Sequence, residues 1–231
     1  MEIIVNHLTR IKGNAICIAG IAPDTHRHVR PVAAPGSSLT RDLLASHGGP
    51  VRVGSLIDIG EALPQPAPPH LEDHVVNVAD IQWVKDLDWK EYTSNLEKVH
   101  TRNLREAFGE DLYRLSPRSL TLAKGSGKGS LAVLVEPAST LHVEIKANES
   151  VGTERVRLAC QVAGRGANLS LTDVRLHDAD GSVNRDRVNE LRDAIKCSQS
   201  CYVMLGLGRA WSPDDGPRVH WLQANGIAPH S

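Results

Sequence analysis

Short apolar runs broken by turn-forming residues constrain this chain more than any other feature. Ile3 to Leu8, Ala15 to Ile21, His28 to Val32 and Val51 to Ile59 are each of strand length, and Gly13-Asn14 and Pro23-Asp24 supply turn chemistry between them. The signal returns in Leu120 to Ala123, Leu131 to Val135, Leu141 to Ile145, Val156 to Val162 and Asn168 to Arg175, and closes with Tyr202 to Gly206 and Val219 to Gln223. Many short strands with close turns predict a mostly β chain built of small barrels. Helical periodicity is added sparingly, which makes the class α+β. A short helix is predicted over residues 38 to 46 with Ser38 as N-cap. A second presents Trp89, Tyr92, Leu96 and Val99 on one face, a third presents Leu104, Ala107, Phe108 and Leu112 after the capping pair Asn103 and Glu106, and a fourth spans Val183 to Ile195. The run Leu63-Pro-Gln-Pro-Ala-Pro-Pro69 lacks ladder donors and reads as a stiff connector or rim loop.

With 231 residues, 41% of them apolar, the chain can bury a real core without staples. Cys17, Cys160, Cys197 and Cys201 are scattered, and the one close pair is C-x3-C, so the thiols read as free cysteines of a reducing cytoplasm. No apolar run approaches the ~20 residues that span a bilayer, and residues 1 to 5 lack the features of a secretion signal. The expected location is therefore cytoplasmic, with no membrane partner. A formal charge of −1 argues against a strong, sequence-independent polynucleotide binder. The distribution is less neutral than the sum. Arg114, Arg118, Lys124 and Lys128 lie in a stretch without acids, as do Arg155, Arg157 and Arg165.

His70-Leu-Glu-Asp-His74 is the densest ionisable group. It follows two prolines and precedes Val75-Val76, which predicts extended backbone, with His70 and His74 roughly 13 Å apart. A structural hydrogen-bond network, the polar rim of a ligand site and a metal site all remain open for His70, Glu72, Asp73 and His74. Gly125-Ser-Gly-Lys-Gly-Ser130 lacks the first glycine of a phosphate loop, although Lys124 and Lys128 can still touch a phosphate. Glu144-Ile-Lys146 fits a half-exposed strand as well as it fits a metal-dependent nuclease. Arg30, beside Pro31, and Arg41 are candidates to grip a phosphate or an internal carboxylate. Arg209, Trp211, Gln223 and Asn225 combine a cation, a ring and amides, the chemistry that stacks and reads an unpaired base. Trp221 is expected in the core and Trp211 near the surface. Residues 1 to 82 contain no Phe, Tyr or Trp, so the first barrel alone is a poor stacking platform.

Cys17-Ile-Ala-Gly-Ile-Ala22 with His28-Val-Arg-Pro-Val32, Pro68-Pro-His-Leu-Glu-Asp-His74 and His220-Trp-Leu-Gln-Ala-Asn-Gly226 together resemble the bacterial and phage dual OB-fold domain proteins. Leu39 to Leu44, Gly48-Gly-Pro50, Leu171 to Leu176 and Leu205-Gly-Leu-Gly-Arg209 extend the likeness over most of the chain. The resemblance implies two OB-like barrels: residues 1–82, a helical connector over 83–115, and 116–231 with one helix. It also implies a nucleic-acid-binding protein of a defence, repair or nucleic-acid modification system. The partner would be DNA or RNA, single-stranded or modified, with protein partners from the same operon. No nucleophile–base pair, cofactor motif or metal constellation is legible, so the chain reads as a recognition subunit more than as an enzyme. A metal-dependent nuclease or hydrolase and a small-nucleotide sensor are the other readings.

Overall fold

A computed structural model describes residues 1–116, 119–148, 152–162, 164–213 and 215–230; Arg118 lies outside them. The chain is mostly β, in curled sheets that form half-barrels. The first sheet contains β1 (Glu2–Arg10), β2 (Ile16–Ala22), β3 (Arg27–Ala33), β4 (Ser55–Asp58), β5 (Ala62–Pro64), β6 (Asp73–Val76) and β7 (Gln82–Asp86), in the order β5-β6-β3-β2-β1-β4-β7. β3 and β6 pair in parallel and the other neighbours antiparallel. Helices α1 (Trp89–Val99) and α2 (Leu104–Phe108) follow. A capping box between Asp88 and Glu91 starts α1, and Gly109 in the left-handed region ends α2.

The rest of the chain forms β8 (Thr121–Ala123), β9 (Leu131–Pro137), β10 (His142–Asn148), β11 (Thr153–Val162), β12 (Arg165–Ser170), α3 (Arg185–Lys196), β13 (Ser200–Leu207) and β14 (Val219–His230). β8-β14-β13-β9 make one sheet and β10-β11-β12 another. The segment between β12 and α3 binds back to both halves: Arg10 N–H donates to the Thr172 carbonyl, and Thr172 N–H donates to that of Ala224. Each half has its own apolar cluster. A third cluster joins them through Ile4, Ile21, Leu56, Tyr92, Leu96, Val133, Tyr202 and Met204.

Several local expectations change: the strand expected over Asn168 to Arg175 ends at Ser170 and gives way to a 3-10 turn at Val174–Leu176, and the helix expected to carry Leu112 ends at Phe108. Residues 38 to 46 are not a helix but two single 3-10 turns, Arg41–Leu43 and Ala45–His47. The cause is tertiary: Ile16 N–H donates to the Leu39 carbonyl, Arg41 N–H to that of Asn14, and Leu44 bridges Val51, which holds Thr40 and Leu44 extended. The proline-rich run carries an edge strand, β5, where a missing ladder donor can face away from the sheet. The expected extension of 70–74 begins only at Asp73. Residues 68 to 72 turn, closed by reciprocal backbone bonds between Ala67 and His70.

Candidate nucleic-acid interface

The turn at 68–72 delivers two carboxylates to different tasks. Glu72 accepts from Ser130 N–H at 2.6 Å, Ser130 Oγ at 3.1 Å and Leu131 N–H at 3.2 Å, fastening the N-terminal half to the start of β9. Asp73, at the first position of β6, is 4% exposed. Its Oδ1 accepts from Arg30 Nε at 2.6 Å and its Oδ2 from Arg209 Nη2 at 2.6 Å. One buried carboxylate thus joins an arginine of each half. Two guanidinium charges share it, so the group keeps one net positive charge. His74 is half-buried, with Nδ1 on the Glu72 carbonyl at 2.8 Å.

Around this ion triad lies a cavity of about 720 Å³ between the halves, lined by Arg10, Cys17, His70, Trp211, Arg218 and Gln223 among others. His7 and Asn225 also line it, and Asn225 Nδ2 stands 3.1 Å from His7 Nδ1. Asn225 Oδ1 accepts from Thr172 Oγ1, so its amide nitrogen donates, and His7 carries its own proton on Nε2. That Nε2, Arg30 Nη2 and both ring nitrogens of His70 are buried without a hydrogen-bond partner among the described residues. Burial pushes His70 down to about 2, helped by Arg30, Arg209 and His220. Burial also lowers His7, with His28 and Arg30 adding to it. These imidazoles are therefore neutral hydrogen-bonding groups at pH 7. His70 stands edge-on to His220, ring centroids 5.2 Å apart, and His220 donates from Nδ1 to the Gly208 carbonyl.

The amides opposite depend on absent side chains. A Cβ at Gly206 would stand 2.2 Å from Asn225 Nδ2, and one at Gly208 would stand 2.9 Å from Gln223 Nε2. The Leu205-Gly-Leu-Gly phrase leaves room for both amides across the β13–β14 ladder.

Of the residues singled out in the sequence, Arg30, His70, Asp73, Arg209, Trp211, Gln223 and Asn225 come together here. Glu72 and His74 adjoin the site. Lys124 and Lys128 are exposed on the glycine loop, much of whose backbone is already engaged: Lys128 N–H donates to the Phe108 carbonyl and Ser130 N–H to Glu72. Arg41 is elsewhere, in a second cavity. Trp211 is exposed as expected, but Trp221 is only half-buried, its ring 5.8 Å from that of Trp211 and its Nε1 donating to the Trp211 carbonyl. The bridge between Trp211 and Val219 brings the two rings together, tilted by 38°, and Trp221 sits beside the exposed Trp211. Among the described residues no group of three His, Cys, Asp or Glu side chains converges as a metal site would require, and Glu144 pairs with Lys146. Sequence reasoning missed His7, Arg10 and Arg218. The polar pair Asn6-His7 interrupting the apolar Ile3-Ile-Val5 run was the available signal, because a buried polar pair inside a strand needs partners.

The family model for the dual OB-containing domain matches residues 1–227. The chain belongs to this family. No curated protein and no solved structure matches it. For a dual OB-containing domain, the architecture points to binding of nucleic acids or other oligomers. Among the described residues no helix is long and apolar enough to cross a membrane.

Proposed function

We propose that this dual OB-containing protein is a nucleic-acid-recognition protein that receives an unpaired nucleotide in the cavity between its halves. We place it in a bacterial or phage defence, repair or modification system, as its family resemblance implies. The observation that carries the reading is the convergence, on one 720 Å³ cavity, of a net-positive arginine pair, neutral imidazoles with unspent nitrogens, two amides and an exposed tryptophan. Arg10, Arg209 and Arg218 suit the phosphates. Asn225, Gln223 and His70 offer donors and acceptors to a base edge, and Trp211 offers a stacking face. A cavity of this size suits one nucleotide, which a polynucleotide presents only when the base is unpaired.

Titration of tryptophan fluorescence with single-stranded and duplex oligonucleotides tests the reading. Trp211→Ala is expected to cost about 1–3 kcal/mol of single-strand binding with the fold intact. Arg209→Gln should weaken all sequences alike and lower the salt dependence. Equal affinity of the wild type and both variants for single strands would remove the proposal. A mononucleotide that binds as tightly as the strand would favour the sensor reading of the same cavity.

A further inference from the structure

The second cavity, about 1020 Å³, is walled by the 3-10 turns at 41–47, the segment Asp173 to Ala179 and the first turns of α3. Arg41 lines it at 5% exposure, and its Nε is buried with no hydrogen-bond partner among the described residues. Among the described residues no carboxylate forms an ion pair with Arg41, nor with the neighbouring half-buried Arg10. His177, 6% exposed, lines the same cavity; its Nδ1 lies 3.0 Å from the Asp173 carbonyl, so that nitrogen donates and Nε2 keeps a lone pair with no partner among the described residues.

The acids nearby are already engaged. Asp173 is held by two nitrogens of Arg175, Glu190 by Arg187, Asp178 accepts from the Asn184 amide, Asp42 accepts from the Thr40 hydroxyl, and Asp180, exposed and within the field of Arg41, accepts from Ser182 N–H and Oγ. The amino end of α3, capped by Asn184, opens on the same space and adds its positive dipole. A buried guanidinium with no ion pair is costly to hold in the fold, a cost that an incoming anion offsets.

We infer that this cavity is a binding site for a phosphate monoester, gripped by Arg41 and completed by His177. The reason for a monoester is the free lone pair on His177 Nε2. A monoester retains an ionisable proton near neutral pH that can sit between its oxygen and that nitrogen, whereas a diester has none to share. Arg41 supplies the fork for the remaining oxygens. The site does not depend on the reading of the first cavity, because none of its three contributing groups, Arg41, His177 and the α3 terminus, lines that one.

Inorganic phosphate is the probe, followed by the line width of its phosphorus resonance and by thermal melting against chloride at equal ionic strength. Wild-type protein should broaden the resonance and melt roughly 3–5 °C higher at about ten times the dissociation constant. Arg41→Gln should abolish both effects and His177→Gln should weaken binding at least about tenfold. If Arg41→Gln does not fold, the wild-type line width and His177→Gln still decide. No broadening in the wild type, an equal melting shift with chloride, or a phosphate response unchanged in the variants would each overturn the inference. Competition identifies the natural source. Displacement by a 5′-phosphorylated oligonucleotide but not its 5′-hydroxyl twin assigns a strand end, and displacement by a nucleoside monophosphate alone assigns a free nucleotide. Equal displacement by both oligonucleotides would overturn the monoester assignment.

Discussion

Asp73 holds Arg30 and Arg209, which lie 43 and 136 residues away in the chain, and His70's own burial, with those two guanidinium charges adding to it, keeps that imidazole neutral. His7 and His28 stand edge-on to one another, ring centroids 5.4 Å apart, and burial pushes His28 down to about 4. In the unfolded chain such groups titrate near 6.5. Below that pH the unfolded state binds more protons than the folded one, so stability is full above about 6.5 and is lost as pH falls toward the folded values. His28 alone should contribute a loss of about 2–3 kcal/mol by pH 4. Urea unfolding at pH 7.5, 5.5 and 4 measures it, and His28→Gln should flatten the profile. A midpoint that does not move between pH 7.5 and 4 would contradict this account.

At the level of single elements, β13 and β14 show how a strand is shaped by what its neighbour must hold. Gly206 pairs with Gln223 in the ladder, yet the space that its missing side chain leaves belongs to Asn225. The register shifts between Met204 and Leu205, and this brings Asn225 toward His7 on β1. Gly206→Ala would push the Asn225 amide off His7 and leave a buried polar group unpaired. The expected cost is about 1–3 kcal/mol. Gly208→Ala should cost less, because the displaced atom is the free end of the longer, half-buried Gln223 side chain. Denaturation of the two variants side by side tests the order, and a Gly206→Ala protein as stable as the wild type would show that Asn225 has another place to go.

The whole molecule behaves as its third apolar cluster dictates. Met204, fully buried on β13, packs with Ile4 and Ile21 of the first sheet and with Tyr92 and Leu96 of α1. Glu72 on Ser130, Asp73 on Arg209 and Asn225 on His7 add polar ties across the same boundary. Removing apolar volume at that boundary should weaken both halves together. Met204→Ala is expected to cost about 2–5 kcal/mol and to shift one cooperative transition seen alike by circular dichroism and tryptophan fluorescence. Two separated transitions, with only one moved, would show that the halves unfold independently.

Local chemistry was sufficient for most of the elements. The runs at 3–8, 15–21, 131–135 and 156–162 became strands, the stripe at Trp89 to Val99 became a helix, and so did the stretch expected over Val183 to Ile195 from Arg185 onward, because periodicity and caps act within a few residues. The exposure of Trp211 followed from the turn-rich Ser212 to Gly216 beside it. Only the tertiary structure decided that the predicted helix at 38 to 46 would be broken into 3-10 turns by bridges at Thr40 and Leu44, that Glu72 would bind Ser130 while Asp73 bound two arginines, and that Arg41 would line a different cavity from Arg30. The physical reason is that a buried polar side chain has the same local signature whichever partner it finds. The partner is chosen by sheet register and by the packing of the two halves, which long-range contacts set and no short stretch of sequence contains.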